Sequence, residues 1–118
     1  MKDISKMMKQ WGTWMINNNK SIQEDIKKSQ HIIPERIKSR RKSNEDQAQL
    51  ISEFMTNLLN SNKEDYDLLL NYYVYGKTFI QLAKFQQCSD TYIGKKLKKA
   101  EGVIEGMLIM NDIKSKHQ

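Results

Sequence analysis

Apolar side chains return at three- and four-residue intervals through most of this chain, and they nowhere alternate with polar ones. The first such stripe comprises Ile4, Met7, Met8, Trp11 and Met15. This spacing places side chains on one face of an α-helix, whereas a half-buried β-strand would require alternation. The pattern therefore predicts an all-α fold. At 118 residues the chain is long enough for one domain with one modest core.

The stripes and their end signals predict about five helices. Asparagines at 17–19 and a glycine at 76 are typical of helix ends, because Asn favours turns and Gly readily adopts the left-handed conformation. We treat residues 1–118 as a single domain, with an N-terminal helix in 1–16 and a helical core in 44–118. The expected helices cover residues 3–16, 44–61, 64–75, 78–86 and 90–111.

Residues 17–43 show no apolar period and contain the single proline of the chain, Pro34. Residues 20–42 carry eight basic side chains against three acidic ones. We expect a basic, polar linker or arm here. Two interpretations stay open: a solvated linker, or an arm that lies along a phosphate backbone or an acidic protein surface. In the second interpretation the contacting residues are Arg36, Lys38, Arg40, Arg41 and Lys42.

Residues 78–99 match a helix-turn-helix pattern, in which a short helix, a tight turn and an extended recognition helix follow one another. Ala83 is small enough for two helices to cross closely, and Ser89 is suited to capping the second helix. Gln87 occupies the turn position where glycine is usual. If Gln87 adopts a positive φ angle, the turn carries a strain of about 1–3 kcal/mol.

The second helix of this pattern would carry a basic outward face. At about 100° per residue, the face opposite Ile93 and Ala100 carries Thr91, Lys95, Lys98 and Lys99. Such a face enters the major groove of DNA, where lysines meet phosphates and first-turn residues meet base edges. Asp90 either accepts from a cytosine amine or stabilises the helix dipole. The candidate DNA-contacting residues are Ser89, Asp90, Thr91, Tyr92, Lys95, Lys96, Lys98, Lys99, Lys77 and Lys84.

Composition narrows the classes of function. The net charge of +6 favours nucleic acid or another anionic partner. A single cysteine, Cys88, excludes an internal disulfide and a multi-thiolate metal site, and it favours a reducing compartment such as the cytoplasm. No phosphate-binding glycine loop, metal-ligand spacing or catalytic carboxylate pair is present, so we expect neither an enzyme nor a cofactor. No apolar run is long enough to span a membrane.

Four segments together resemble the late antitermination protein Q family of lambdoid phages, in its shorter form. The resemblance covers almost the whole chain and is weakest across 17–62. Residues 66–100 also resemble the DNA-reading region of bacterial sigma factors. The segments that carry the family resemblance are WGTW at Trp11–Trp14, with the asparagines that follow, and Tyr72–Gly76, Cys88–Ser89 and Ala100–Gly106.

The family resemblance implies a function in the bacterial host cell. Its members bind a DNA element at a phage late promoter and load onto paused RNA polymerase, which then reads through terminators. By motif match, Ser89–Lys99 would be the DNA-reading positions. Further candidate partners are a sigma factor, nascent RNA and a second copy of the chain on DNA. Two alternatives stay open: a helix-turn-helix activator or sigma-like initiation regulator, and a basic module that binds protein or RNA.

Overall fold

The computed structural model describes residues 3–116, which form seven helices and contain no β-strand. The all-α class is therefore confirmed, although about five helices were expected. The expected N-terminal helix segment, 1–16, includes residues 1 and 2, which lie outside the described residues. The expected helical core, 44–118, likewise includes residues 117 and 118. The helices are α1 (Ile4–Asn18), α2 (Lys20–Ser29), α3 (Glu35–Lys38), α4 (Glu45–Ser61), α5 (Lys63–Tyr73), α6 (Phe79–Gln86) and α7 (Asp90–Lys116).

The N-terminal helix α1 lies against five of the other six helices. Its predicted stripe is buried except for Ile4, which is partly exposed, and Met8 and Trp11 are almost inaccessible to solvent. Gly12 faces the end of α5 so closely that a Cβ atom there would lie 2.0 Å from the carbonyl oxygen of Tyr73. Because this distance is far below van der Waals contact, only glycine allows the two helices to approach in this way.

The segment 17–43, for which the sequence predicts a basic, polar linker or arm, contains the end of α1 and the helices α2 and α3. Ile22, Ile33 and Ile37 are buried, and the side chain of Thr13 donates a 2.7 Å hydrogen bond to the carbonyl oxygen of Ile37. Ile22 is followed four positions later by Ile26, which also packs against the core, and Ile33 is followed four positions later by Ile37. Each stretch therefore has only one pair of apolar residues at helical spacing, which is too short to show a helical period in the sequence.

The helices α4, α5 and α7 enclose the rest of the core. Asn62 links α4 to α5, and its side-chain oxygen accepts a 3.2 Å hydrogen bond from the N–H of Asp65 in the first turn of α5. The buried stripe of α7 runs through Ile93, Leu97, Ala100, Ile104 and Leu108. The helix continues to Lys116, five residues beyond the predicted end. This long helix joins the core to the helix-turn-helix segment.

Candidate nucleic-acid interface

The helices α6 and α7 form the corner that the sequence pattern predicts between residues 78 and 99. Thr78 and Gln81 cap the start of α6 reciprocally, since each side chain accepts a hydrogen bond from the other residue's N–H. Leu82 and Ala83 of α6 are buried, as are Ile93 and Leu97 of α7. The apolar side of α7 is thereby fixed, and its opposite side faces outward.

The turn between the two helices is left-handed at Gln87, with φ 56° and ψ 48°. The N–H of Cys88 donates a 3.0 Å hydrogen bond to the carbonyl oxygen of Ala83, which closes the end of α6. A left-handed conformation at a residue other than glycine costs about 1–3 kcal/mol. The Ser89 hydroxyl oxygen accepts a 3.1 Å hydrogen bond from the N–H of Tyr92, so the predicted cap of α7 is present.

The outward side of α7 carries the predicted basic face. Thr91, Lys95, Lys98 and Lys99 are all exposed. Neither of the two ion pairs found among residues 3–116 involves these lysines. Three ammonium groups are therefore presented to solvent along about one and a half turns of a rigid helix.

Lys96 differs from the other lysines of this helix. Its ammonium group donates hydrogen bonds to the carboxylate of Glu64 at 2.8 Å and to the side-chain oxygen of Gln86 at 3.0 Å. It also lies 5.0 Å from the ring centre of Tyr92. The bond to Glu64 raises the pKa of Lys96 and lowers the pKa of the carboxyl. This arrangement does not support the expectation that Lys96 contacts DNA, because its charge is already engaged within the protein.

The remaining candidates around the corner have varied surroundings. The Asp90 carboxylate accepts a 2.9 Å hydrogen bond from the N–H of Thr91, which fits a role at the positive end of the helix dipole. Lys84 is exposed on α6, whereas Lys77 is partly covered and lies 6.0 Å from the ring centre of Phe85.

The five basic residues of the expected arm divide into two groups. Arg36 donates a 2.6 Å hydrogen bond to the carbonyl oxygen of Gly76, just before α6. Arg40 is partly buried, and both burial and the neighbouring Arg36 lower its pKa, whereas Tyr72 and Tyr73 raise it. These two arginines contact the folded body, although Arg36 is still exposed to solvent. The other exposed members are Lys38, Arg41 and Lys42.

A groove of about 430 Å³ runs along one side of the basic face, between α7 and the N-terminal helix. We call it the α1–α7 groove. Sequence reasoning missed its α1 residue, Lys9, because no local pattern indicates that α1 lies beside α7. At the inner wall the Tyr73 hydroxyl donates a 2.8 Å hydrogen bond to the Glu101 carboxylate. The groove is lined by Lys9 of α1, Phe79 of α6, and Gly94, Lys98 and Glu101 of α7, among others.

Comparison with known proteins identifies the family. The family model described as phage antitermination protein Q matches residues 1–116, almost the whole chain. This chain belongs to the phage antitermination protein Q family. It is therefore a phage late-gene transcription antitermination factor, as the sequence resemblance predicted, and the family is one of regulatory proteins.

Individual relatives agree with the family assignment. Antitermination protein Q of Escherichia phage 933W is 43% identical over 116 residues, with 93% of this chain and 78% of the relative covered. The prophage antitermination protein Q homolog QuuD of Escherichia coli K12 is 42% identical, with 97% and 91% covered. The solved structure of transcription antitermination factor Q21 has a TM-score of 0.65 over 98% of this chain and 93% of that one. At 18% identity, this last likeness bears on the fold alone.

Two further features of the antiterminator concern residues 3–116. None of these helices is long and apolar enough to cross a membrane. The described side chains include no group of three or more His, Cys, Asp and Glu residues that could hold a metal ion.

Proposed function

We propose that this antiterminator recognises a DNA element near a phage late promoter through the first half of α7, and that it then acts on paused RNA polymerase so that terminators are read through. The observation that carries the proposal is the set of three exposed, unpaired lysines on the outward side of α7. The buried Ile93 and Leu97 hold that side in one orientation.

The residues of this face have different roles in the proposal. Lys98 and Lys99 contact phosphates, because they lie about one turn beyond Lys95, where side chains of a recognition helix reach the sugar-phosphate backbone. Thr91 and Lys95 lie nearer the start of α7, where side chains reach base edges in the major groove. The phosphate contacts supply affinity and position the protein on the DNA, and the base-edge contacts supply sequence preference.

The basic residues at the end of α3 and just after it provide a second exposed surface. Lys38, Arg41 and Lys42 extend from a segment that the buried Ile37 attaches to the fold. In the proposal this surface contacts an acidic part of the transcription complex, either the polymerase or nascent RNA. Its position outside the helix-turn-helix leaves the DNA-facing side of α7 free at the same time.

The proposal is tested by substituting Lys95 and Lys99 with alanine, singly and together. Each lost phosphate contact is expected to lower the slope of log affinity against log salt by about 0.9 for a late-promoter duplex. Lys114→Ala is the matched control. Lys114 is an exposed lysine of the same helix, about 22 Å beyond Lys99 at 1.5 Å per residue. An unchanged slope in the double variant would refute DNA contact by this face.

A transcription assay separates antitermination from the initiation alternative. The template carries the late promoter, its pause site and a downstream terminator, and both promoter firing and terminator read-through are measured. We expect the protein to increase read-through, and the double variant Lys95→Ala and Lys99→Ala to lose this effect. A rise in promoter firing without read-through would contradict the proposal and favour an initiation regulator.

A further inference from the structure

The two sides of the recognition helix differ in charge. On the α5 side, Lys95, Lys96 and Lys99 lie beside two carboxylates, those of Glu64 and Asp65, and Glu64 pairs with Lys96 at 2.8 Å. On the α1 side, Lys9, Lys95 and Lys98 line the α1–α7 groove beside one carboxylate, that of Glu101. Phosphates are therefore attracted more strongly to the α1 side of α7 than to the α5 side.

DNA geometry brings a phosphate strand to that side. An α-helix with its side chains is about 10–12 Å across, and the major groove is about 12 Å wide. A helix that enters the groove therefore has a sugar-phosphate backbone on each side, and the neighbouring elements of the protein meet these backbones. In this chain the neighbouring elements on the basic side are α1 and the start of α6, which contribute Lys9 and Phe79.

We propose that a phosphate segment of the bound DNA lies along the α1–α7 groove, and that Lys9 of the N-terminal helix contacts it. This inference rests on the proposed function, because it assumes that α7 enters the major groove. It assigns a DNA contact to a helix far from the helix-turn-helix in sequence. Residues 9 and 98 act on the same strand, one from each side of the groove.

The groove is open where the backbone would pass. Gly94 of α7 contributes no side chain to the wall, and the nearest neighbour of a Cβ atom there would be the Phe79 ring at 3.6 Å. Phe79 is the first residue of α6, so the positive end of that helix dipole also lies at the groove.

One acidic residue, Glu101, opposes a bound phosphate. It is partly buried and receives the hydrogen bond of Tyr73, while Lys9 and Lys98 on either side stabilise its charged form. The phosphate is therefore expected at the rim, against the two ammonium groups, and not at the inner wall. Neutralising this carboxylate should strengthen binding, whereas removing Lys9 should weaken it.

The test measures binding of the full chain to a fluorescent late-promoter duplex between 50 and 200 mM salt. Lys9→Ala is expected to reduce the salt slope by about 0.9, so that its affinity ratio to the unsubstituted protein changes by about 3.5-fold across this range. Glu101→Gln, which can still accept from Tyr73, is expected to bind more tightly at 50 mM salt. Lys114→Ala again serves as the control, and thermal unfolding verifies that each variant is folded.

The outcomes distinguish this inference from the function on which it rests. If Lys99→Ala lowers the salt slope and Lys9→Ala does not, the groove contact is wrong while DNA recognition by α7 stands. If neither variant changes the slope, the proposed function fails with it. An effect of Lys9→Ala on single-stranded RNA of the same length, without an effect on the duplex, would overturn the groove contact in favour of RNA. Weaker duplex binding by Glu101→Gln would also contradict it.

Discussion

At the contact between α1 and α5, replacing a glycine with alanine is expected to lower the stability of the fold, whereas the same replacement in a helix usually raises it. In an ordinary helix, replacing glycine with alanine stabilises by about 1 kcal/mol, because glycine loses more backbone entropy on folding. Gly12→Ala is expected to destabilise this protein. The added Cβ atom would lie 2.0 Å from the carbonyl oxygen of Tyr73 and 2.7 Å from its carbonyl carbon.

The magnitude follows from the two competing effects. Ordinary contact begins at about 3.4 Å, and the opposing atoms belong to backbone that cannot rotate away, so α1 must move relative to α5. Overpacking of this kind costs about 1–3 kcal/mol, and a backbone neighbour favours the upper end. After subtraction of the helix-propensity gain, a net loss of about 2 kcal/mol remains, equivalent to a fall in Tm of about 8 °C for a domain of this size.

Two other glycines of the chain provide the controls. Gly102 and Gly106 are exposed on α7, and a Cβ atom at either position would meet nothing within 4 Å. Gly102→Ala and Gly106→Ala should therefore each raise Tm by about 4 °C, through helix propensity alone. Thermal and urea unfolding followed by circular dichroism measure all three variants. A Gly12→Ala protein as stable as the unsubstituted one would refute the close packing of α1 on α5.

Three further predictions concern other parts of the fold. Ile37→Ala should lower the free energy of unfolding by about 2–5 kcal/mol, because the side chain is fully buried. Ile32→Ala is the control and should lower it by no more than about 0.5 kcal/mol, because that side chain is 84% exposed. Equal effects of the two substitutions in urea unfolding would contradict a folded α3. Tyr73→Phe should cost about 1–2 kcal/mol at pH 7, because the partly buried Glu101 carboxylate loses its donor. Burial raises the pKa of Glu101. The stability lost in Tyr73→Phe should therefore shrink as the pH falls through that pKa, because the carboxyl becomes protonated and needs the donor less. A loss of stability that grows in acid would contradict this reasoning. Gln87→Gly should stabilise by about 0.5–1 kcal/mol, since relief of the left-handed strain exceeds the added unfolded-state entropy, and a lower Tm in this variant would argue against the left-handed turn.

Much of the candidate site was predictable because its signals are local. The Ser89 cap, the buried Ile93 and the outward lysines of α7 all follow from helical spacing within one segment of about twenty residues. Lys96 was also predicted to contact DNA, but its ammonium group pairs with Glu64 within the protein. Its partner Glu64 lies 32 positions earlier in the chain, and no spacing rule connects the two.

The division between sequence and structure has a physical reason. Helical periodicity, capping and charge act between residues a few positions apart, so the sequence alone determined the all-α class, the corner at Gln87 and the basic face of α7. Contacts between distant segments depend on how the helices pack, and only the tertiary structure decided these. The packing of α2 and α3 on the fold involves the buried Ile22 and Ile37, and Lys9 and Lys98 line one groove because α1 packs beside α7.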